Sequence, residues 1–322
     1  MPELDRPLLV VVDHVDGALT TPSAEVLTLA RSLTTGGVSA VALEAPDTAA
    51  LARYGAGVVL VPELDGLSST VSAVAAEAVL AAVAQARPAA VLLVSSFAGK
   101  EIAARLAVAL DSGAVVDASG VTVEAGALVA SKVVLQGTWE TTCEVTRGVP
   151  VIAVKPTVVE AVAVDGPEPE VVAVPVEFSA PARAVRVLSR TEHPRGGRAP
   201  LGEARTVVVG GRGVEGDFSL VTELADELGA AVGATRVATD EGWIEHAAQV
   251  GQTGVTISPR LYIGIGVSGA IHHTAGMQAA QTIVAVNSDP EAPIFEMADL
   301  GIVGDLNDVL PQAIEELRRL RG

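Results

Sequence analysis

Short runs of β-branched residues alternate with alanine- and leucine-rich stretches of helical length along the chain. This alternation is typical of a parallel sheet covered by helices. We therefore expect an α/β fold in the first half of the chain. The pattern there predicts strands at 8–12, 38–43, 58–62, 91–95 and 149–154, and helices at about 22–35, 70–86 and 99–110.

The pattern changes between residues 115 and 146. Apolar and polar positions alternate there in consecutive short segments, without an intervening stretch of helical length. Alternation with a period of two indicates strands, so a local antiparallel section is expected. The run from 171 to 190 then predicts two further strands.

The best linker candidate is 193–204, which holds two prolines and three glycines and shows no apolar periodicity. A second α/β series follows it. The sequence predicts an N-terminal Rossmann-like α/β domain with an antiparallel section (1–192), the linker, and a C-terminal parallel-sheet domain (205–322). The second series comprises strands at 206–209, 261–265 and 282–287 and helices at 217–229 and 306–319.

Composition narrows the kinds of partner that the chain can have. Asp and Glu number 39 against 21 Lys and Arg, which gives a net charge of −18, and 49% of the residues are hydrophobic. That apolar fraction is ample for two cores and excludes disorder as the main state. Nucleic acid and anionic membranes attract clustered basic residues, so we expect proteins or small molecules as partners.

Features that the sequence lacks indicate where the protein is located and whether it binds a metal. The most apolar helical stretch, 71–86, is too short to span a membrane and contains Glu77 and Gln85. The N-terminus lacks the features of a signal or transit peptide. A single cysteine, Cys143, excludes an internal disulfide and a cysteine-based metal site. We expect a cytoplasmic protein with no membrane insertion and no metal.

The second α/β series contains a G-x-G-x-x-G pattern at Gly264, Gly266 and Gly269, after an apolar strand and before a predicted helix. Such a turn lets the backbone approach a phosphate and directs helix N–H groups at its charge. Asp289, about 20 residues on, would complete a dinucleotide fingerprint. In a chain with 32 glycines, an ordinary strand-to-helix turn is the alternative.

Polar residues lie close to this pattern and to a second glycine turn at 210–213. Arg212 and Arg236 follow apolar runs, where a guanidinium suits phosphate or a developing anion, although each is equally well interpreted as a surface ion-pair residue. Gln252 and Thr253 offer an amide and a hydroxyl to a ring or a phosphate. Ser268 is expected at a helix N-terminus.

Adjacent histidines on a helix face different ways, so at most one of His272 and His273 is expected to contact a ligand, and His272 is interpreted as solvated.

No nucleophile arrangement is present, which leaves any chemistry to a bound cofactor. In the first domain, the turn at 95–101 lacks the glycine spacing of a phosphate loop. We interpret this turn as a packing or partner-surface feature.

Several segments of the second domain, in order, strongly resemble the FAD-binding domain of the electron transfer flavoprotein alpha subunit. The N-terminal domain resembles the same family more loosely, through its strand order and VLLVSS…GKEIAARLA. The resemblance implies FAD rather than a nicotinamide cofactor at the glycine pattern. The segments are GGRG (210–213), AAVGATR (230–236), DEGW (240–243), QVGQTG (249–254), LYIGIGVSGAIHHTAGM (261–277), IVAVNSDPEAPIF (283–295) and ADLGIVGDL (298–306).

The matched positions imply a set of cofactor-binding residues. Two of them depart mildly from the family: Thr235 stands where Ser is frequent, and His272 stands where Gln is frequent. The positions are Arg212, Thr235, Arg236, Val250, Gly251, Gln252, Thr253, Gly266, Ser268, Gly269, Ala270, Ile271, His272, His273, Asn287, Asp305 and Leu306.

The resemblance also implies roles for these residues. Arg212 and the residues from Ser268 to Ile271 are expected at the phosphates, and Asn287, Asp305 and Leu306 at the adenosine. Thr235, Arg236, Gln252 and Thr253 are expected at the flavin, with the Thr253 hydroxyl near N5. Arg236 and His273 are expected to stabilise negative charge at the N1–C2=O edge.

The family further implies an electron carrier without a catalytic site of its own. It would form a heterodimer with a beta subunit that holds AMP, with one FAD per heterodimer. It would carry electrons one at a time from acyl-CoA and other primary dehydrogenases of fatty acid β-oxidation to a membrane quinone oxidoreductase. An electron-bifurcating relative of the same family and an NAD(P)-binding oxidoreductase remain as alternatives.

Overall fold

The computed structural model describes residues 3–135, 139–190 and 197–321. The chain divides into two compact units between residues 192 and 193. Of the predicted linker at 193–204, residues 193–196 lie outside the described part. The helices of the first unit are α1 (Thr21–Leu33), α2 (Thr48–Arg53), α3 (Ser72–Ala86), α4 (Phe97–Ala109) and α5 (Ala180–Ala184).

Twelve strands are described in the first unit, and seven of them form one parallel sheet in the order β12-β5-β4-β1-β6-β11-β7. In chain order the strands are β1 (Leu8–Val12), β2 (His14–Val15), β3 (Ala18–Leu19), β4 (Val38–Ala42), β5 (Val58–Pro62), β6 (Ala90–Val94), β7 (Ala114–Ala118), β8 (Gly120–Glu124), β9 (Ala127–Val134), β10 (Trp139–Glu144), β11 (Val151–Val154) and β12 (Glu170–Val174).

The central strands are buried along their whole length because helices cover both faces of the sheet. All five residues of β1 and of β6 are buried. Alternate residues of β6 enter opposite cores, Leu92 on one face and Leu93 on the other. The chain crosses from β5 to the far side of β1 before forming β6, so the strand order reverses between β1 and β6.

The antiparallel section predicted between 115 and 146 is confirmed. Strands β8, β9 and β10 form a separate three-stranded antiparallel sheet, with Gly120 opposite Ser131 and Trp139 opposite Val134. The alternation of exposed and buried residues along β8 matches a sheet with one covered face. Strand β7, at the start of this segment, belongs to the parallel sheet instead.

Of the two strands predicted at 171–190, one forms and the other does not. Only β12 forms, parallel to β5, and a short helix, α5, follows it. Pro175 follows β12 directly and cannot supply a backbone N–H to a sheet. Ser179 then begins α5 by accepting a hydrogen bond from Ala182 N–H, so the apolar alternation in this run reflects no second strand.

The second unit holds one parallel sheet in the order β14-β13-β15-β16-β17. The sequence pattern missed β14 and β17, which have only four residues and each contain a glycine that weakens the strand pattern. The strands are β13 (Thr206–Gly210), β14 (Ala231–Ala234), β15 (Leu261–Ile265), β16 (Thr282–Asn287) and β17 (Leu300–Val303), and the helices are α6 (Ser219–Leu228), α7 (Arg236–Asp240), α8 (Ile271–Thr274) and α9 (Leu306–Arg321). Among the described residues, no helix is both long and apolar enough to cross a membrane.

Shortening Leu92 should destabilise the first unit strongly. Leu92 is fully buried in a central strand, and Leu→Ala in a core costs about 2–5 kcal/mol. Val108→Ala is the control because Val108 is 84% exposed, and its cost should stay within about 0.5 kcal/mol. Chemical denaturation followed by circular dichroism measures both values. Equal losses in the two variants would contradict the burial of β6.

Candidate functional site

The two glycine turns of the second unit meet at the carboxyl ends of β13 and β15. Gly213 N–H donates to Gly266 O over 3.0 Å, and Gly211 N–H donates to Ile265 O over 2.8 Å. A Cβ on Gly211 would lie 2.3 Å from Gly266 O, which is too close for any side chain. These glycines therefore let two backbones pack directly against each other at the sheet edge.

The residues after the second turn differ from the prediction in one respect. No long helix begins at Gly269; the backbone continues to Ala270 before the four-residue helix α8, and Ser268 lies outside that helix. Gly269 has a φ of +87°. A Cβ there would lie 2.3 Å from Ile294 N, so tight packing against the loop after β16 holds this segment in an extended path.

A third loop, 249–254, joins the first two through backbone hydrogen bonds. Val250 N–H donates to Ala234 O over 2.9 Å, and Gln252 N–H donates to His272 O over 2.7 Å. Gly251 lies so close to His272 that a Cβ would come within 2.8 Å of its carbonyl oxygen. The structure thus brings the predicted residues on this loop next to those of the Ser268–His273 segment.

The residues predicted for the adenosine end lie together beside the second glycine turn. Asn287, Asp305 and Leu306 line a largely polar cleft of about 430 Å³, together with Gly213 and Gly266. Asn287 is oriented by its own amide, which donates to Val267 O over 2.8 Å. Phosphate-sized and nucleoside-sized groups fit a cleft of this kind at the carboxyl ends of parallel strands.

Asp289, the acidic residue that would complete the dinucleotide fingerprint, does not line this cleft. Its carboxylate accepts a hydrogen bond from Glu291 N–H over 3.0 Å, and its own N–H donates to the Asn287 side chain. Asp289 therefore stabilises the turn after β16.

The two arginines differ in their partners. Arg212, in a 3₁₀ turn after Gly211, is exposed and makes no ion pair within the described ranges. Arg236 begins α7 and pairs with Asp240 over 3.1 Å, with both side chains more than half exposed. An exposed pair of this spacing contributes only about 0.3–0.5 kcal/mol, so it holds the guanidinium loosely.

Thr235 precedes Arg236 and carries an unsatisfied group. Its hydroxyl oxygen is shielded from solvent and has no hydrogen-bond partner in the part of the chain that the structure describes. Its backbone N–H donates to Gly210 O over 3.0 Å, which fixes the residue beside the first glycine turn. A buried hydroxyl without a partner is costly, so its position suits a ligand that supplies one.

Thr253 is oriented by a residue that the sequence analysis did not single out. Gln249 is almost fully buried; its amide nitrogen donates to Thr253 Oγ1 over 2.9 Å, and its amide oxygen accepts from Thr239 over 2.8 Å. Because Thr253 Oγ1 accepts from Gln249, its own proton remains to be donated. No periodic pattern could indicate Gln249, since it lies in a loop directly after the 3₁₀ turn at His246–Ala248.

His273 is buried, whereas its neighbour His272 is exposed, as the opposite directions of adjacent helical residues require. His273 Nδ1 lies 3.0 Å from Val250 O, and its Nε2 lies 2.7 Å from the Tyr262 hydroxyl. A carbonyl only accepts, so Nδ1 carries the proton and Nε2 accepts from Tyr262. Both ring nitrogens are therefore used within the protein.

Burial bears on the role expected of His273 because it favours the uncharged imidazole. Burial lowers the pKa of the imidazole to about 4, against a smaller opposing effect of the Val250 carbonyl. At neutral pH the ring is uncharged and has no spare N–H. Tyr262, fully buried on β15, fixes the tautomer, and burial raises the pKa of its hydroxyl so that it remains a donor.

The fold and the site identify the class of protein. It is an α/β chain of two units, and the second unit has a site for a nucleotide cofactor, lined by glycines, at the carboxyl ends of its strands. Residues 200–278 match the family described as the electron transfer flavoprotein FAD-binding domain, and residues 8–179 match the electron transfer flavoprotein domain. The chain belongs to the alpha subunits of the electron transfer flavoproteins and carries their FAD-binding domain.

Relatives along nearly the whole chain agree with this assignment. The electron transfer flavoprotein subunit alpha of Mycobacterium leprae is 44% identical over 98% of this chain and 99% of its own. The protein of the same name from Bacillus subtilis is 32% identical, with the same coverage. Protein FixB of Clostridium saccharobutylicum is 36% identical over 84% of this chain and 82% of its own.

Replacing Tyr262 with Phe should change the state of His273. Without the hydroxyl, Nε2 remains buried with no donor, which costs about 1–3 kcal/mol of stability. In ¹⁵N NMR spectra of the imidazole, the Nε2 signal should shift while the Nδ1 signal keeps its position. Tyr54→Phe, at the other tyrosine of the chain, should leave both signals unchanged.

The same spectra give the sign of the pH dependence. The folded pKa, about 4, lies below the ordinary value of 6.5, so the unfolded chain is protonated first as the pH falls. The stability contributed by neutral His273 is complete above pH 6.5 and is lost between pH 6.5 and about 4. A charged His273 at pH 7, or a proton on Nε2, would contradict the assigned tautomer.

Proposed function

We propose that this chain is the FAD-holding subunit of an electron carrier that pairs with a beta subunit, with one FAD per heterodimer and AMP in the beta subunit. It accepts electrons from acyl-CoA and other primary dehydrogenases and passes them one at a time to a membrane quinone oxidoreductase. Residues 1–192 serve as the scaffold for the partner, 193–204 as the linker and 205–322 as the cofactor domain. The protein is cytoplasmic and has no substrate-specific catalytic site.

The observation that carries the proposal is the pair of glycine turns packed against each other at the carboxyl ends of β13 and β15. Gly213 and Gly266 leave no room there for a side chain on either backbone. A pyrophosphate can approach such a backbone closely. Arg212, exposed and without an ion pair among the described residues, is free to bind a phosphate oxygen from the same side.

The rest of the site fits the remaining parts of FAD. The polar cleft beside Asn287, Asp305 and Leu306 accepts the adenosine. The Thr235 hydroxyl, which has no partner among the residues that the structure describes, and the available proton of Thr253 can form hydrogen bonds with a flavin ring. Only 2% of the chain is aromatic, so hydrogen bonds and close backbone packing, rather than stacked rings, hold the cofactor.

When bound, FAD supplies the redox chemistry, and the protein sets its environment. Thr253 would donate a hydrogen bond at the N5 side of the flavin, and the Gln249 amide N–H orients the Thr253 hydroxyl. The buried His273 would contribute an uncharged surface beside the ring. Arg236 would stabilise negative charge at the N1–C2=O edge, and its exposed, weak pairing with Asp240 leaves the guanidinium able to turn.

The proposal is tested by coproducing the chain with a candidate beta subunit and recording visible spectra during stepwise reduction. A flavin band with one FAD per heterodimer is expected. Protein that contains nucleotide but no chromophore, or that binds only a nicotinamide cofactor, would overturn the proposal.

Arg236→Ala should weaken FAD binding by about ten- to a hundredfold, since a hydrogen bond to a charged group contributes about 1.5–3 kcal/mol. The reduction potential should fall because the negative charge of the reduced ring is no longer stabilised. Fluorescence titration and spectroelectrochemistry measure the two effects.

The matched control for this variant is Arg319→Ala. Arg319 also makes an exposed ion pair within its own helix, with Glu316, but lies outside the proposed site. Its loss should change neither the affinity nor the potential. Equal behaviour of the two variants would remove Arg236 from the flavin edge.

A further inference from the structure

All three lysines of the chain meet in the first unit, around the end of β7. Lys100, on α4, forms an ion pair with Asp117 over 2.8 Å. Lys155 follows β11, and its N–H donates to Ala118 O over 3.0 Å. Lys132 lies on β9 beside Ser131, whose carbonyl accepts from Ser119 N–H over 2.8 Å. Backbone pairing thus brings three separate segments to residues 117–119.

The charges of this lysine cluster are not balanced. Asp117 is the carboxylate that affects Lys155, against the two like charges of Lys100 and Lys132. The charged groups that act on Lys155 are Asp117, Lys100 and Lys132, so together with Lys155 itself they carry 3 − 1 = +2, in a chain whose net charge is −18. Lys155 is half-buried, and its ammonium has no hydrogen bond or ion pair within the described part of the chain.

Burial is the main cause of the lowered pKa of Lys155, and the neighbouring lysines lower it further, against the opposing effect of Asp117. Gathering like charges in a partly desolvated place is unfavourable unless an anion compensates them. A protein with only three lysines does not need to place them together for solubility. The excess positive charge therefore indicates a ligand that carries negative charge.

The position of the cluster in the fold favours a phosphate. Lys100 and Lys155 lie at the carboxyl ends of β6 and β11, and β6 borders the point where the strand order reverses. Doubly wound α/β sheets bind phosphate-bearing ligands at this edge. The 13-residue helix α4 also begins here, after the Ser96 cap, and adds the positive end of its dipole.

We propose that Lys100, Lys132 and Lys155 form a second anion site in this chain, which binds a phosphate group, either free or part of a nucleotide. A phosphate dianion would compensate the excess of two positive charges. Asp117 holds Lys100 in place, and the Ser95 hydroxyl donates to the same carboxylate oxygen over 2.9 Å. The proposal does not depend on the FAD function, because none of these residues belongs to the second unit.

The small number of lysines makes a direct test available. Labelling the full chain with ¹³C-lysine gives three Cε signals, and saturation with FAD fills the phosphate positions of the second unit. Addition of inorganic phosphate should shift all three signals with one dissociation constant on the order of 1 mM at low salt. It should also raise the pKa of Lys155. Sodium chloride at equal ionic strength should not produce these changes.

Two variants and a control test the assignment. Lys155→Met should weaken phosphate binding about tenfold, whereas Arg53→Met, which removes an exposed charge outside the cluster, should not.

Asp117→Asn removes the competing carboxylate and should strengthen phosphate binding about fivefold. Asparagine also tolerates the left-handed backbone of this position, where φ is +57°.

The source of the phosphate is distinguished by comparing AMP, adenosine and inorganic phosphate. AMP that binds more tightly than phosphate, with adenosine inactive, supports a nucleotide; equal affinities support free phosphate. Absence of the shifts, or shifts that persist in Lys155→Met, would overturn the proposal. Loss of phosphate binding on addition of the beta subunit would also overturn it, because the lysines would then be a protein contact.

Discussion

The second unit depends on one steric constraint: two backbone turns must pass each other without side chains between them. Gly211 and Gly213 on one side and Gly266 on the other satisfy it, and the hydrogen bond from Gly213 to Gly266 closes the contact. The first glycine turn also fixes Thr235, because the Thr235 N–H donates a hydrogen bond to the carbonyl of Gly210. The cofactor site is thus formed largely by backbone, and side chains adjust it.

Much of this arrangement could be predicted from sequence. A continuous apolar run such as β1 indicates a strand in the centre of a covered sheet, and the glycines that follow β13 and β15 mark the carboxyl edge. The strand that was expected after Pro175 did not form, because apolar alternation alone supplies no pairing partner. The strands β14 and β17 were missed because each is a four-residue segment interrupted by a glycine, whereas the equally short β11 is a continuous apolar run.

The predicted site residues lie on neighbouring loops of the second unit, whereas the hydrogen bonds among them could not be predicted from the sequence. Arg212, Thr253 and the glycines are recognisable types at recognisable turns. The state of His273 is different, because it depends on Tyr262 and on the Val250 carbonyl, which a fold brings together from separate segments. Burial, and not the identity of the residue, decides that this imidazole is neutral. Gln249 was not singled out because its hydrogen bonds with Thr239 and Thr253 likewise depend on segments that the fold brings together.

The neutral tautomer of His273 has a consequence for how the carrier responds to its surroundings. Over the range of pH found in living cells, this buried group neither takes up nor releases a proton, and Tyr262 likewise keeps its own. The side of the site formed by His273 and Tyr262 therefore keeps the same charge when the pH varies around neutrality. Near neutral pH, neither of these two buried groups can therefore exchange a proton with a bound cofactor.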